Sequence, residues 1–258
     1  MTYGRNAIAV ATGDFNGDSW PDLVVPHYAT NTTNILLGKN DGTFTNQPTF
    51  ETGANPFNVT VGDFDDDGLL DIAIIDATEA TISILFGYGN GSFTPRIILA
   101  TGTDTVSIAT GDTVLLIEAV PAVVVTGDFN GDSQLDIASA GGNYLEILIG
   151  YGNGTFRREA FINSNLYGYN LATGDFNADS KLDVMIVDIY NDQFGILLGL
   201  GNGSFAAPVI FTNDNYPYRA ALADFNNDGL TDIAVAHLLN DGVDITLNTC
   251  SCCISQKV

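Results

Sequence analysis

The sequence predicts an all-β fold, a β-propeller of about five four-stranded blades, and two observations predict it. The first is a repeat. GDFNGDSWPDLVV at residues 13–25 recurs as GDFDDDGLLDIAI from Gly62, GDFNGDSQLDIAS from Gly127, GDFNADSKLDVMI from Gly174 and ADFNNDGLTDIAV from Ala223. The first Asp of each copy is Asp14, Asp63, Asp128, Asp175 and Asp224, at spacings of 49, 65, 47 and 49 residues. The second is the strand pattern inside each unit: short apolar runs rich in β-branched residues, with no stripe of helical period. Four strands in a tandem unit of this length are the pattern of propeller blades.

Each unit reads in the same order. A first run such as AIAVATGDF or AVVVTGDF leads into the acidic loop. A second run follows (DLVV, DIAII, DIAS, DVMIV, DIAVA), then a third (NILLG, SILFG, EILIG, GILLG, DITLN). Four units then carry NDGTF, GNGSF, GNGTF or GNGSF, where Asn-Gly or Asp-Gly between apolar runs is a strong hairpin signal because both turn residues need positive φ. The long spacing holds an insertion near residues 101–116, in which TVSIATGD (Thr105–Asp112) mimics a first strand without the rest of its loop. The propeller spans 1–249. A tail over 250–258 carries Cys250, Cys252 and Cys253 and could complete the last blade. An odd, clustered set of cysteines is not a disulfide framework. Val258 stops one repeat position short of the place where Met1 begins. Two arrangements follow: a closed five-blade ring in which Met1–Tyr3 and Ile254–Val258 share a strand, or a five-blade segment of a larger propeller.

The composition bounds the function. The 258 residues carry 31 acidic side chains against 8 Lys and Arg, a formal charge of −23. That balance excludes nucleic acid and anionic membrane surfaces as partners. No apolar run is long enough for a transmembrane segment, and the N-terminus has no secretory signal pattern.

The acidic loops carry the clearest chemistry. Carboxylates stand at positions one, five and nine, and Asn or Asp at position three. At about 5 Å separation and an effective dielectric near 20, each carboxylate pair repels by about 3 kcal/mol. Hard oxygen ligands at alternate positions suit Ca²⁺, with a backbone carbonyl from the variable seventh residue. The expected ligand sets are Asp14, Asn16, Asp18, Trp20 and Asp22; Asp63, Asp65, Asp67, Leu69 and Asp71; Asp128, Asn130, Asp132, Gln134 and Asp136; Asp175, Asn177, Asp179, Lys181 and Asp183; and Asp224, Asn226, Asp228, Leu230 and Asp232. Up to five Ca²⁺ are expected. The loop is not an EF-hand, because its twelfth residue is already inside a strand and no helices flank it. Gly68 and Gly229 give the sixth position its sharp turn, while Ser19, Ser133 and Ser180 predict weaker sites. The competing reading is a solvated acidic hairpin in which Asp serves turn chemistry alone.

The pattern V-x-x-G-D-F-N-x-D-[GS]-x-x-D-[IL], with the later LLGxGNGSF, resembles the FG-GAP repeat family and its VCBS relatives across nearly the whole chain. The resemblance implies a β-propeller with Ca²⁺ in the loop between the first and second strands. Integrin α-chain propellers and some fungal lectins are similar, usually with seven blades. The family implies an extracellular or secreted module for adhesion or carbohydrate binding, with a protein or glycan ligand.

A ligand is expected on the face opposite the acidic loops. Tyr28, Tyr144, Tyr167, Tyr190 and Tyr216 fall there, and exposed tyrosine suits protein or sugar recognition. Phe57, Tyr169 and Tyr218 share one repeat position and read as packing between blades. His27, Asp76, Asp188 and His237 share another, expected at a solvated turn end or converging near the channel mouth. A polysaccharide-active enzyme using Asp76 and Asp188 is one alternative, and a structural spacer is another. No nucleophile triad, zinc motif or phosphate loop appears, so an enzyme is the less favoured reading.

Overall fold

The structure is a computed structural model, and it describes residues 7–100, 123–212, 216–238, 242–250 and 253–257. Alternating apolar sequence forms five antiparallel meanders. The first sheet orders β1 (Ala11–Gly13), β2 (Asp22–His27), β3 (Thr32–Gly38) and β4 (Phe44–Asn46), with β5 (Phe50–Glu51) also paired to β3. The second has β6 (Pro56–Gly62), β7 (Asp71–Asp76), β8 (Thr81–Leu85) and β9 (Ile97–Ala100). The third has β10 (Val123–Gly127), β11 (Asp136–Gly141), β12 (Tyr144–Gly150) and β13 (Phe156–Asn163). The fourth has β14 (Gly168–Gly174), β15 (Asp183–Asp188), β16 (Gln193–Leu197) and β17 (Val209–Thr212). The fifth has β18 (Pro217–Ala223), β19 (Asp232–His237), β20 (Val243–Cys250) and β21 (Cys253–Lys257). Four strands per repeat in sequential order match the expected blade. The insertion near 101–116, the strand expected from Met1–Tyr3, and Cys252 lie outside the described residues.

The core lies between the sheets. Four apolar clusters each join two successive sheets: Phe15 and Ile35 with Val59 and Ile74; Phe64 and Ile84 with Val124 and Ile137; Phe129 and Ile147 with Leu171 and Ile186; Phe176 and Ile196 with Ile233 and Val235. Both faces of the inner sheets are therefore covered, and β7, β11 and β15 are buried at every residue.

The outer faces of the first and last sheets differ. Phe225 is 46% exposed, whereas its counterparts Phe15, Phe64, Phe129 and Phe176 are at most 2% exposed. Val243 and Ile245 on the same side are 60% and 38% exposed. On the first sheet Val10 is 60% exposed, against 8% or less for Val59, Val124 and Leu171 at the same repeat position. Each sheet covers the one before it, so the fifth sheet has no cover on its outer side among the described residues.

Phe129→Ala is therefore expected to cost about 3–5 kcal/mol of stability, and Phe225→Ala less than about 1 kcal/mol. Urea unfolding of the two variants checks this; equal losses would show that the fifth sheet's outer face is covered in solution.

Candidate metal centre

Each acidic loop joins the end of one strand to the start of the next, closed by the register pairs Gly13↔Asp22, Gly62↔Asp71, Gly127↔Asp136, Gly174↔Asp183 and Ala223↔Asp232. The first carboxylate organises the turn. Asp14 accepts the N–H groups of Gly17 at 2.8 Å and Ser19 at 2.7 Å, and Asp63, Asp128, Asp175 and Asp224 accept the same sixth-residue N–H from Gly68, Ser133, Ser180 and Gly229. The fifth-position Asp accepts the N–H of residue seven in every copy: Trp20, Leu69, Gln134, Lys181 and Leu230. The sixth residue has positive φ whether it is serine or glycine, from 63° at Ser180 to 86° at Gly229. Serine there carries a backbone strain of about 1–2 kcal/mol that glycine avoids, which is the physical basis for expecting the serine loops to be the weaker ones.

The ninth carboxylate has a role the sequence reading missed. Asp22 is fully buried, and its two oxygens accept the N–H of Phe15 at 2.8 Å and of Gly38 at 2.7 Å. The same fork recurs at Asp71 with Phe64 and Gly87, Asp136 with Phe129 and Gly150, Asp183 with Phe176 and Gly199, and Asp232 with Phe225 and Asn248. It ties the loop to the end of the third strand through protein groups alone. The available signal was the glycine ending LLG, LFG, LIG and LLG, which recurs 14 to 16 residues after the ninth Asp.

Burial sets the proton affinities. It pushes Asp71 and Asp136 up to about 6, against their two amide donors, and raises Asp22 and Asp183 in the same direction. Burial and the neighbouring Asp67 and Asp63 also raise Asp65. Asp224 goes the other way, held low chiefly by the Gly229 amide.

The second loop fits a cation best. Carboxylate oxygens of Asp63, Asp65 and Asp71 lie within 4.8 Å of one another, and Oδ1 of Asp65 is buried without a hydrogen-bond partner. A buried, unpartnered carboxylate oxygen beside two others is costly unless a positive ion completes it. The other four loops place Asn at position three, and in the first, third and fifth it donates its amide to the fifth-position Asp: Asn16 to Asp18, Asn130 to Asp132, Asn226 to Asp228. In the fourth loop Lys181 Nζ lies 3.4 Å from Asp179.

Comparison with known proteins decides the family. The FG-GAP-like repeat profile matches residues 14–74, 63–113, 128–186 and 175–235. The chain belongs to the FG-GAP-like repeat family. No curated protein matches it. Among solved structures, BBS1N in complex with ARL6DN gives a TM-score of 0.66 at 15% identity, over 99% of this chain and 69% of that one. An Agrocybe aegerita lectin specific for non-reducing terminal N-acetylglucosamine gives 0.61 at 16% identity, over 93% and 63%. A protein from Lactobacillus plantarum gives 0.68 at 11% identity, over 100% and 72%. At such identities the likeness is one of fold, and it supports the propeller architecture.

Away from the acidic loops, the FG-GAP-like units sort the remaining candidates. Tyr167 and Tyr190 are exposed and meet edge to face at 5.0 Å. Tyr28 and Tyr216 are exposed, and Tyr144 stacks on Phe161 at 4.5 Å. The solvated rim expected for the other set is corrected. His27, Asp76 and Asp188 are buried, because this repeat position falls where the second strand is still covered by its neighbours. Asp188 accepts amide donors from Asn191 and Gln193 of its own turn. Asp76 accepts from Ser83, and burial pushes it up to about 7. His237 lies 3.1 Å from Asp244. Of the three residues expected to pack between blades, Tyr169 and Tyr218 meet across successive units with ring centroids 5.3 Å apart, and with Phe57, Ile8, Asn58 and Arg219 they also line one cavity of about 270 Å³.

Two outcomes test this geometry. Asp136→Ala leaves the amides of Phe129 and Gly150 unsatisfied and is expected to cost about 2–5 kcal/mol, in EDTA as well as in metal. A loss confined to metal-containing buffer would reduce the ninth Asp to a ligand. The pH dependence follows from Asp71 and Asp136 at about 6 and Asp76 at about 7, all raised from an ordinary 3.8. In the folded chain they hold protons that the unfolded chain releases. Their contribution is complete below 3.8 and is lost as pH rises through 6 to 7. Groups held low, such as Asp224, act at more acidic pH. The Tm in EDTA is expected to fall between about pH 5 and pH 8, and a flat or rising profile contradicts the burial argument.

Proposed function

We propose that the chain is an extracellular, calcium-stabilised recognition module that binds a glycan on the face opposite its acidic loops. The ion is expected to neutralise the loop carboxylates and fix the turns, strongest at Asp63, Asp65 and Asp71 and weaker where serine fills position six. The observation that carries the glycan reading is the aromatic surface of the fourth and fifth sheets. Tyr167 and Tyr190 stand exposed as a pair, and Tyr169 and Tyr218 line the cavity with ring centroids 5.3 Å apart. Flat rings with hydroxyl tips supply stacking surface and hydrogen bonds at low entropy cost, which suits sugar rings. The fold likeness to a lectin that recognises N-acetylglucosamine supports this reading. A protein ligand is the second reading, favoured by the uncovered Phe225, Val243 and Ile245.

Thermal melting in EDTA, Ca²⁺ and Mg²⁺ tests the calcium part. At about ten times its Kd, each bound ion adds about 1.4 kcal/mol, so a saturable rise in Tm with Ca²⁺ and not Mg²⁺ is expected. Identical melting in all three sinks it. A glycan array in calcium buffer tests the ligand, with the Tyr167→Ala, Tyr190→Ala double variant expected to lose binding while keeping its Tm.

A further inference from the structure

The cavity lined by Tyr169 and Tyr218 carries a more specific assignment. Ile8, Phe57, Tyr169 and Tyr218 each stand six residues before the first Asp of their loops, so one repeat position from four units converges on a single space. Phe57, Tyr169 and Tyr218 lie at the start of their first strands and Ile8 just before its own, away from the acidic loops at the strand ends. One cation joins them. Arg219 lines the cavity with its guanidinium carbon 5.7 Å from the Tyr218 ring centroid.

Two facts bear on Arg219. Arg96, Arg157, Arg158 and Lys181 each pair with a carboxylate. Arg219 is exposed and, like Lys39, has no carboxylate partner among the described residues, but unlike Lys39 it lines the cavity. Its repeat position is also used differently elsewhere. Asn58 and Asn170 stand there in the second and fourth units, and each accepts a backbone N–H from the next sheet, Val124 and Ala220 respectively. A guanidinium has five donors and no acceptor, so Arg219 cannot repeat that contact. The position has changed from holding the next sheet to offering donors toward the cavity.

We infer that this aromatic cavity binds a carboxylated sugar ring, with Arg219 holding the carboxylate and Tyr169, Tyr218 and Asn58 facing the ring and its hydroxyls. This rests on the glycan reading and narrows it. A cavity of about 270 Å³ matches one ring rather than an oligosaccharide. The guanidinium fork matches a carboxylate in two parallel hydrogen bonds. The chain's negative charge does not forbid an anion here. Five residues of extended strand separate Arg219 from Asp224, about 17 Å, roughly two Debye lengths at physiological salt.

The test is calorimetric titration of the calcium-loaded chain with D-glucuronate, D-glucose and acetate, on the wild type, Arg219→Gln and Arg219→Lys. Glucuronate is expected to bind at least about tenfold more tightly than glucose or acetate. Arg219→Gln should erase that preference, and Arg219→Lys should keep part of it, with Tm unchanged in both. Glucose binding as well as glucuronate, or a preference that survives Arg219→Gln, overturns the assignment while leaving the glycan reading intact. No binding of any sugar here, together with a blank glycan array, overturns both.

Discussion

Burying a carboxylate is costly, and each unit of this fold does so at the same place. The cost is met by two backbone N–H groups, one on each oxygen, from the residue after the first loop Asp and from a residue at or near the end of the third strand. The consequence reaches beyond the loop. A donor from strand three must come close enough to bond a side chain at the start of strand two, so the backbone there runs tight against the loop's eighth residue. A Cβ on Gly87 would sit 2.3 Å from the carbonyl oxygen of Leu70, and one on Gly150 2.2 Å from that of Leu135. In the first four units that approach leaves room only for glycine, and in the fifth Asn248 stands at the position. The fork therefore fixes two elements at once, the acidic turn and the third-strand ending, and it explains why the two motifs travel together through the repeats.

The same loop residue joins one unit to the next. The carbonyl of Phe15 accepts the N–H of Gly91 at 2.8 Å, that of Phe64 accepts Gly154 at 3.0 Å, and that of Phe129 accepts Gly203 at 2.9 Å. Each donor is the second glycine of the Asn-Gly hairpin in the following unit. So the phenylalanine whose N–H is held by the ninth Asp has its carbonyl held by the next sheet, and its ring buried beneath that sheet. An ion that stiffens an acidic loop would stiffen the contact with the next sheet through this residue. The fifth unit lacks the glycine hairpin, and Asn248 replaces it. Its N–H bonds Asp232 at 2.7 Å and its side-chain amide bonds the carbonyl of Phe176 at 2.7 Å. One asparagine carries both the fork and the link that glycines share between two positions elsewhere.

Much of this was legible because it is periodic. Four strands per unit, the acidic loop between the first two, and the Asn-Gly hairpin each recur often enough for the pattern to outweigh any single residue. What was not legible depends on depth and on neighbours in space. The ninth Asp reads as one more oxygen ligand, since nothing local says that both oxygens already hold amides. His27, Asp76 and Asp188 read as turn-end polar groups because they close apolar runs, yet adjoining segments cover them. For Asp76 the cover is the backbone at Gly53, where a Cβ would lie 2.5 Å from the carboxyl carbon. Phe57, Tyr169 and Tyr218 share a position, but that they bound a common space is decided by how the units are arranged around one another.

The repeat also explains where specificity can reside. Positions that hold sheets together are nearly invariant from unit to unit: the first and ninth Asp, the phenylalanine, the third-strand ending. They give the face with the loops a recurring acidic character. The opposite face is free of that demand, and there the units diverge. The cavity position reads Ile8, Phe57, Tyr169 and Tyr218, and the next position reads Ala9, Asn58, Asn170 and Arg219. A symmetric scaffold recognises an asymmetric ligand only where its repeats stop being equivalent, and in this chain that break in equivalence gathers around the aromatic and cationic residues of the fourth and fifth sheets.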